Sequence, residues 1–176
     1  ISDRSGSSIS LSNDGDVVAI GAIGNDDNGD SSGHVRIYEN LGGVWTIIGD
    51  DIDGEAINDS SGISVSLSSD GDVVAIGADY NDDNGDSSGH VRIYENIGGV
   101  WTKIGDDIDG EAARDGSGRS VSLSSDGNIV AIGAPGNNGH GAYSGHVRIY
   151  ENLGGVWTKI GDDIDGEAIN DSSGIS

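Results

Sequence analysis

The residues best equipped for chemistry in this sequence are carboxylates, and they come in two runs that recur along the chain. The first run is Asn25-Asp26-Asp27-Asn28-Gly29-Asp30. A calcium ion takes about six to eight hard oxygen ligands, and side chains at alternate loop positions, with a glycine for the turn, are one way to supply them. Asp26, Asn28 and Asp30 have that spacing, and Asp82, Asn84 and Asp86 repeat it. The third occurrence, Asn137-Asn138-Gly139-His140-Gly141-Ala142, has lost every carboxylate. The second run is Gly49-Asp50-Asp51-Ile52-Asp53-Gly54-Glu55, followed by Asp59, with Asp51, Asp53 and Glu55 as its alternating donors. Its glycine stands fourth rather than sixth and Gly62 stands where a bidentate Glu is needed, so it is not an EF-hand. Both runs also read as solvated turns without any metal, since Asp, Asn and Gly favour turns on their own. Crowded carboxylates repel at neutral pH. A divalent cation, Ca²⁺ by donor type, is therefore the expected cofactor, shared by the two runs if they meet in space.

Other chemistries find little support. With no Cys there is no thiol catalysis, thiolate metal site or disulfide framework. His34, His90 and His146 each follow a glycine and open a strand, without a second His or a base close in sequence, which reads as a strand-end His bonded to a turn. No nucleophile elbow occurs: Gly29-Asp30-Ser31-Ser32-Gly33 and its copy at 85–89 match G-x-S-x-G but lie in polar loops with no helix to follow. The Gly-rich stretches lack the strand–GxGxxG–helix setting of a phosphate cradle. Carboxylate pairs are too abundant to mark a glycosidase. Near-identical repeats also argue against an active site, which needs differentiated positions. The expectation is no enzyme and no catalytic residue. A balance of 31 acidic against 8 basic residues, net −23, excludes a basic-patch nucleic-acid binder and disfavours anionic lipid. No apolar run reaches the roughly 20 residues of a membrane span, so no membrane insertion is expected.

The elements that position these runs come from a repeat. Residues 1–56, 57–112 and 113–168 are three copies of 56 residues, and 169–176 begin a fourth. The first two copies agree at 47 of 56 positions. A period of this size marks a solenoid, propeller or array. Within a copy the apolar pattern has period two. Ser8–Ser12 alternates, with Ile9 and Leu11 inward; Asp14-Gly15 is a hairpin turn; Val17–Ile20 is a continuous apolar run suited to a strand covered on both faces. His34–Tyr38 alternates again, and Asn40–Gly43 turns the chain into Val44–Ile48. The fold class is all-β: tandem four-stranded antiparallel sheets, blade-like, too few to close as a monomer, since rings take about four to eight blades. Each small sheet must stack on its neighbours to bury enough surface. Lys103 and Lys159 replace Ile47, so that side of the last strand reaches solvent, the Lys stem lying over Trp101 or Trp157.

The order Gly118-Arg119-Ser120-Val121-Ser122, then Gly133-Ala134-Pro135, then Gly145-His146-Val147-Arg148-Ile149-Tyr150 resembles the FG-GAP repeat. That repeat is the blade of integrin α-subunit-type β-propellers and of many bacterial secreted and surface proteins. The resemblance implies four-stranded blades, extracellular placement, calcium in loops, and adhesive or scaffolding roles. The sequence departs from the pattern in having no Phe, and in having Ile23 and Asp79 where the third copy keeps Pro135. The family's calcium loop, between the first two strands, is here cut down to Asp14-Gly15-Asp16, so calcium is not carried over by position.

The function expected from this reading is a non-catalytic structural protein of the cell surface or extracellular matrix. It would self-associate through identical repeats or chains into a filament or scaffold stiffened by Ca²⁺. The alternative is an adhesive propeller that recognises glycans or proteins, with Trp45, Trp101 and Trp157 as stacking platforms. A start at Ile1 without a leader, and an end part-way into a fourth repeat, read as a stretch cut from a longer array.

Overall fold

The computed structural model describes residues 2–176, and among them only strands and turns occur. The first repeat forms β1 (Ser5–Leu11), β2 (Val17–Ala22), β3 (His34–Leu41), β4 (Val44–Ile47) and β5 (Ile52–Asp53). The second forms β6 (Ser64–Leu67), β7 (Val73–Ala78), β8 (His90–Asn96), β9 (Trp101–Lys103) and β10 (Ile108–Asp109). The third forms β11 (Ser120–Leu123), β12 (Ile129–Ala134), β13 (His146–Asn152), β14 (Trp157–Lys159) and β15 (Ile164–Asp165). Each repeat is one antiparallel meander of four principal strands.

The short β5, β10 and β15 are additional to that reading. Val35 pairs with Ile52 and His34 with Asp53, while the other end of β3 pairs with β4. The outer strand is thus interrupted, and the second acidic run forms its last piece rather than a free turn. The first hairpin is closed by side chains: Ser12 Oγ donates to Asp14 Oδ1 at 2.6 Å, and Val17 N donates to Ser12 Oγ at 2.9 Å. The Ser12 bond, with one from Asp16 N, favours the charged carboxylate and holds Asp14 below the usual carboxylate range, Ser12 contributing most.

The hydrophobic core lies between blades. Ala19, Val35, Ile37 and Ile52 of the first pack against Val65, Leu67, Val74 and Ile76 of the second. Ala75, Val91, Ile93 and Ile108 meet Val130 and Ile132 in the same way. Alternation therefore gives each sheet two apolar faces, one for each neighbour. On the first blade Ile9 and Leu11 are 62% and 56% exposed, whereas their equivalents Val65 and Leu67 are 9% and 7% exposed.

Trp101 Nε1 donates to the carbonyl of Ile48, and Trp157 Nε1 to that of Ile104, both at 2.9 Å. The indoles are inter-blade struts, so at these two positions they are not open stacking platforms. Lys103 and Lys159 turn to Asp107 and Asp163, at 2.6 and 2.7 Å. Backbone approaches backbone just as closely: a Cβ at Gly21, Gly77 or Gly133 would lie 2.1, 2.0 or 2.1 Å from the carbonyl oxygen of Gly62, Gly118 or Gly174.

Candidate functional site

Turns at one end of the sheets join β1 to β2 and β3 to β4. The loops before β3 and the connections between blades gather at the other end, and the chemistry is there. Between the second and third blades the loops border an open cleft of 470 Å³ lined in part by Asp79, Tyr80, Arg114, Asp115, Arg119 and Tyr143. Every lining residue except Asp115 occupies a repeat position that differs among the copies. Asp79 stands where the other repeats have Ile23 and Pro135, and Arg119 where they have Ser7 and Ile63. Tyr80 replaces Gly24, and Tyr143 replaces Ser31 and Ser87. Six of the seventeen repeat positions that differ among the copies, scattered along the sequence, meet at this place. Differentiated positions do exist.

Arg119 Nη1 donates to Asp79 Oδ2 at 3.0 Å, across the blade junction. The Asp79 side chain is only 7% exposed, and its Oδ1 has no hydrogen-bond partner. Burial pushes its carboxyl above the usual range, partly offset by the Arg119 bond. Tyr80 and Tyr143 are half exposed. Arg114, also exposed, has its Nε 3.7 Å from Asp86. A buried carboxylate with one unpaired oxygen, a guanidinium beside it and two half-exposed aromatic rings are equipment for binding a polar ring.

The histidines define a second set of groups. Glu55, Asp83, His90 and Asp107 present ligand atoms within 4.8 Å of one another, as do Asp27, His34 and Asp51, and Glu111, His146 and Asp163. These acidic and imidazole groups can hold a metal ion. His34 and His90 are buried, and the Nδ1 of each lacks a hydrogen-bond partner. The expectation of a His bonded to a turn is not met at this nitrogen. His34 Nδ1 lies 3.6 Å from Asp51 Oδ2, and His90 Nδ1 lies 4.0 Å from Asp107 Oδ2. Burial, then Arg92, lowers the His90 pKa to about 4. Burial, then Arg148, lowers that of His146. Hydrogen bonds from Arg36 hold the Asp51 carboxyl below its usual range.

Of the sequence-derived donors, Asp51 and Glu55 stand in these clusters, while Asp53 pairs with His34 on the ladder beside them. Asp26 and Asp82 serve their own loops, whereas Asn28 and Asn84 tie the first acidic run to the second. Asp26 Oδ1 accepts from Ser31 N at 2.8 Å, and Asn28 Nδ2 donates to the Gly54 carbonyl at 2.8 Å. Asp82 and Asn84 repeat both bonds, to Ser87 and Gly110. The Asp30 carbonyl accepts from Asn58 N, and Asp86 faces Arg114. Asp59 is buried, accepting from Ala56 N and Asn81 Nδ2. Sequence spacing missed Asp27, Asp83, Asp107 and the histidines as partners, because β5 folds the second run back beside the start of β3. The available signal was the constant offset of His34, His90 and His146 from Asp51, Asp107 and Asp163.

No family model and no curated protein matches the sequence. Solved structures do match. A Bacteroides fragilis protein assigned as a 6-phosphogluconolactonase shares 18% identity at a TM-score of 0.59, covering 89% of this chain and 38% of its own. A Bacteroides uniformis protein assigned likewise shares 15% at 0.58, covering 92% and 41%. The periplasmic gluconolactonase of Pseudomonas aeruginosa shares 16% at 0.55, covering 83% and 39%. The chain thus spans about two fifths of these proteins.

At such identities the likeness shows the fold, which is propeller-like; kinship with FG-GAP repeats in particular is not supported. Two expectations are corrected by this comparison. Blades of this type were expected to mark a non-catalytic structural filament or scaffold, and the chain was expected to be no enzyme. Three of the matched propellers carry the names of lactonases, so blades of this type do not mark a non-catalytic structural protein, and neither expectation stands. The cleft removes the premise behind both expectations, that no position is differentiated.

Proposed function

We propose that this chain supplies adjacent blades of a lactone-hydrolysing propeller, and that the cleft between its second and third blades holds the lactone ring. The observation that carries the proposal is the Asp79–Arg119 pair, set in a cleft lined by six of the positions at which the repeats differ. The names of the solved neighbours support it and suggest the substrate class, a sugar-acid lactone. Asp79 Oδ1 is buried and without a hydrogen-bond partner, so it takes a proton from a water that the opening of the cleft to the lactone admits, as the water oxygen bonds to the lactone carbonyl carbon. The Arg119 guanidinium, which keeps N–H donors beyond the one given to Asp79, faces the developing oxyanion. Collapse breaks the ring C–O bond, and the proton passes to the departing ring oxygen, giving a hydroxy acid.

Further blades complete the ring, from the same chain or from a second copy, and the exposed Ile9 and Leu11 face is where they would add. An extracellular or cell-surface setting belongs to the same reading, supported by a periplasmic neighbour. So does Ca²⁺ as a loop stabiliser at Asp26, Asn28 and Asp30 and at Asp82, Asn84 and Asp86, supported by donor type and charge. A melting temperature that is equal in millimolar Ca²⁺ and in EDTA removes that part.

The deciding experiment is acid release from gluconolactone and from its 6-phosphate, measured in a pH-stat against the spontaneous rate. Proton transfer by a positioned side chain contributes about 10²–10⁴-fold, so Asp79→Asn is expected to lower any catalysed rate by about 100-fold. No rate above the spontaneous one, or an unchanged rate in Asp79→Asn, refutes the proposal.

A further inference from the structure

We infer that Glu55, Asp83, His90 and Asp107 form a site for one divalent d-block cation, of the Zn²⁺ type, that staples the first blade to the second. Their ligand atoms lie within 4.8 Å of one another. Around an ion bound at about 2.1 Å, tetrahedral ligand atoms lie roughly 3.4 Å apart, so the set needs only a modest contraction. Three of the four residues flank or begin β8 in the second blade, and Glu55 reaches across from the first.

The second observation is the histidine. Its side chain is 1% exposed, and its Nδ1 faces the cluster with no hydrogen-bond partner. An unpaired buried acceptor is costly unless something fills the place, and a cation is what one imidazole nitrogen and three carboxylates would accept. Imidazole also decides the kind of ion. Nitrogen suits Zn²⁺ and its neighbours in the series, whereas Ca²⁺ and Mg²⁺ take oxygen. The site takes Asp83 from the first acidic run and Glu55 and Asp107 from the second, and its imidazole sets its donor set apart from the all-oxygen calcium loops read in the sequence.

Local charge leaves room for it. Arg92 Nη1 lies 3.1 Å from Glu55 Oε1, and Lys103 Nζ lies 2.6 Å from Asp107 Oδ1. Two cations against three carboxylates leave one negative charge, and each of these two carboxylates keeps a second oxygen. The other clusters are already occupied by arginine. Arg148 grips Asp163 through Nε and Nη2, at 2.9 and 2.7 Å, and reaches Glu111 as well, while Gly139 stands in place of Asp83. Arg36 likewise holds Asp51 through two nitrogens, at 2.9 and 2.6 Å. Arg92 makes no such bond to Asp107. One ion per chain is expected.

The site is independent of the lactonase reading, and so is its test. The chain, freed of metal with EDTA and dialysed, is titrated with Co²⁺ and followed by its visible absorption and by calorimetry, then challenged with Zn²⁺ and Ca²⁺. One equivalent of Co²⁺ binds, Zn²⁺ displaces it, and Ca²⁺ at the same concentration does not. Partners outside the coordination sphere already change affinity about 10- to 100-fold, so losing a ligand weakens binding by at least roughly tenfold. Asp83→Gly, which copies the third repeat and preserves the fold, shows that loss; His90→Gln shows it and changes the spectrum; His146→Gln shows neither. Absence of binding, equal binding by Asp83→Gly, or competition by Ca²⁺ at equal concentration overturns the assignment.

Discussion

The two blade junctions are built from nearly the same residues and differ in how they neutralise charge. At the first, Arg92 turns toward the preceding blade, donating to the Asp53 carbonyl at 3.0 Å and pairing with Glu55, so Asp107 and His90 lack an arginine between them. At the second, Arg148 lies across Glu111 and Asp163 and closes the cluster. The opposite holds a few residues away. The position shared by Ile23 and Ile63 at the first junction is held by the ion pair Asp79–Arg119 at the second. One repeat thus offers two places where charge can be left open, and each junction opens a different one. Identity of sequence between repeats does not imply identity of chemistry, because every such place takes residues from two blades.

The largest effect expected is at the ion pair. Removing one partner of a fully buried pair costs about 3–5 kcal/mol; with the Arg119 side chain 40% exposed, Arg119→Ala should cost about 2 kcal/mol at neutral pH. Burial raises the folded pKa of Asp79 above its unfolded value. The native state therefore holds this proton more tightly, and stability falls as pH rises from the unfolded value through the raised one. Without Arg119 the rise is greater. The deficit of Arg119→Ala should thus shrink as pH is lowered toward 4, which urea melts at successive pH values would show; a constant deficit contradicts it. Transplanting the first junction's solution, Asp79→Ile with Arg119→Ile, should leave stability within about 1 kcal/mol of the parent or above it, since a well-packed apolar replacement is often neutral or better. It should also abolish lactone hydrolysis.

An intermediate effect marks what the junctions share. Trp101→Phe and Trp157→Phe each lose a hydrogen bond to the preceding blade and should each cost about 1 kcal/mol in chemical denaturation. Trp45, 48% exposed on the first blade, should tolerate the same change with a smaller loss. Unequal costs at Trp101 and Trp157 would show that the struts differ after all. The smallest effect expected is that of Gly139→Asp. It restores the carboxylate missing from the third cluster, yet metal stoichiometry should stay at one, because Arg148 already holds Glu111 and Asp163. Adding Arg148→Gln should raise it to two.

Much of the architecture was legible in the sequence, because period-two alternation and the Asp14-Gly15 turn are local signals that report strands and hairpins directly. β5 was not: Ile52-Asp53 is two residues long and becomes a strand only by pairing with His34 and Val35. The same folding back hides the metal-capable clusters, since no spacing in the chain places Asp27, His34 and Asp51 together, and Glu55 belongs to the blade before its partners. The cleft was hidden for another reason. Asp79, Arg119 and Tyr143 stand far apart in the chain, and only the stacking of blades brings those exceptions together. Oxygen donors in Asp26, Asn28 and Asp30 were visible at once, but their backbone hydrogen bonds, which tie the loop together, were not.

The contact of Gly21, Gly77 and Gly133 with the next blade's carbonyl has a geometric consequence. With no room for even a methyl group there, the wedge angle between successive blades is set where main chain meets main chain, and side chains fill whatever space that angle leaves. The number of blades in a closed ring is the full circle divided by that angle. Three glycines thereby govern how large a ring these blades can build, and an alanine at any of them would pry the fan open at a single spoke.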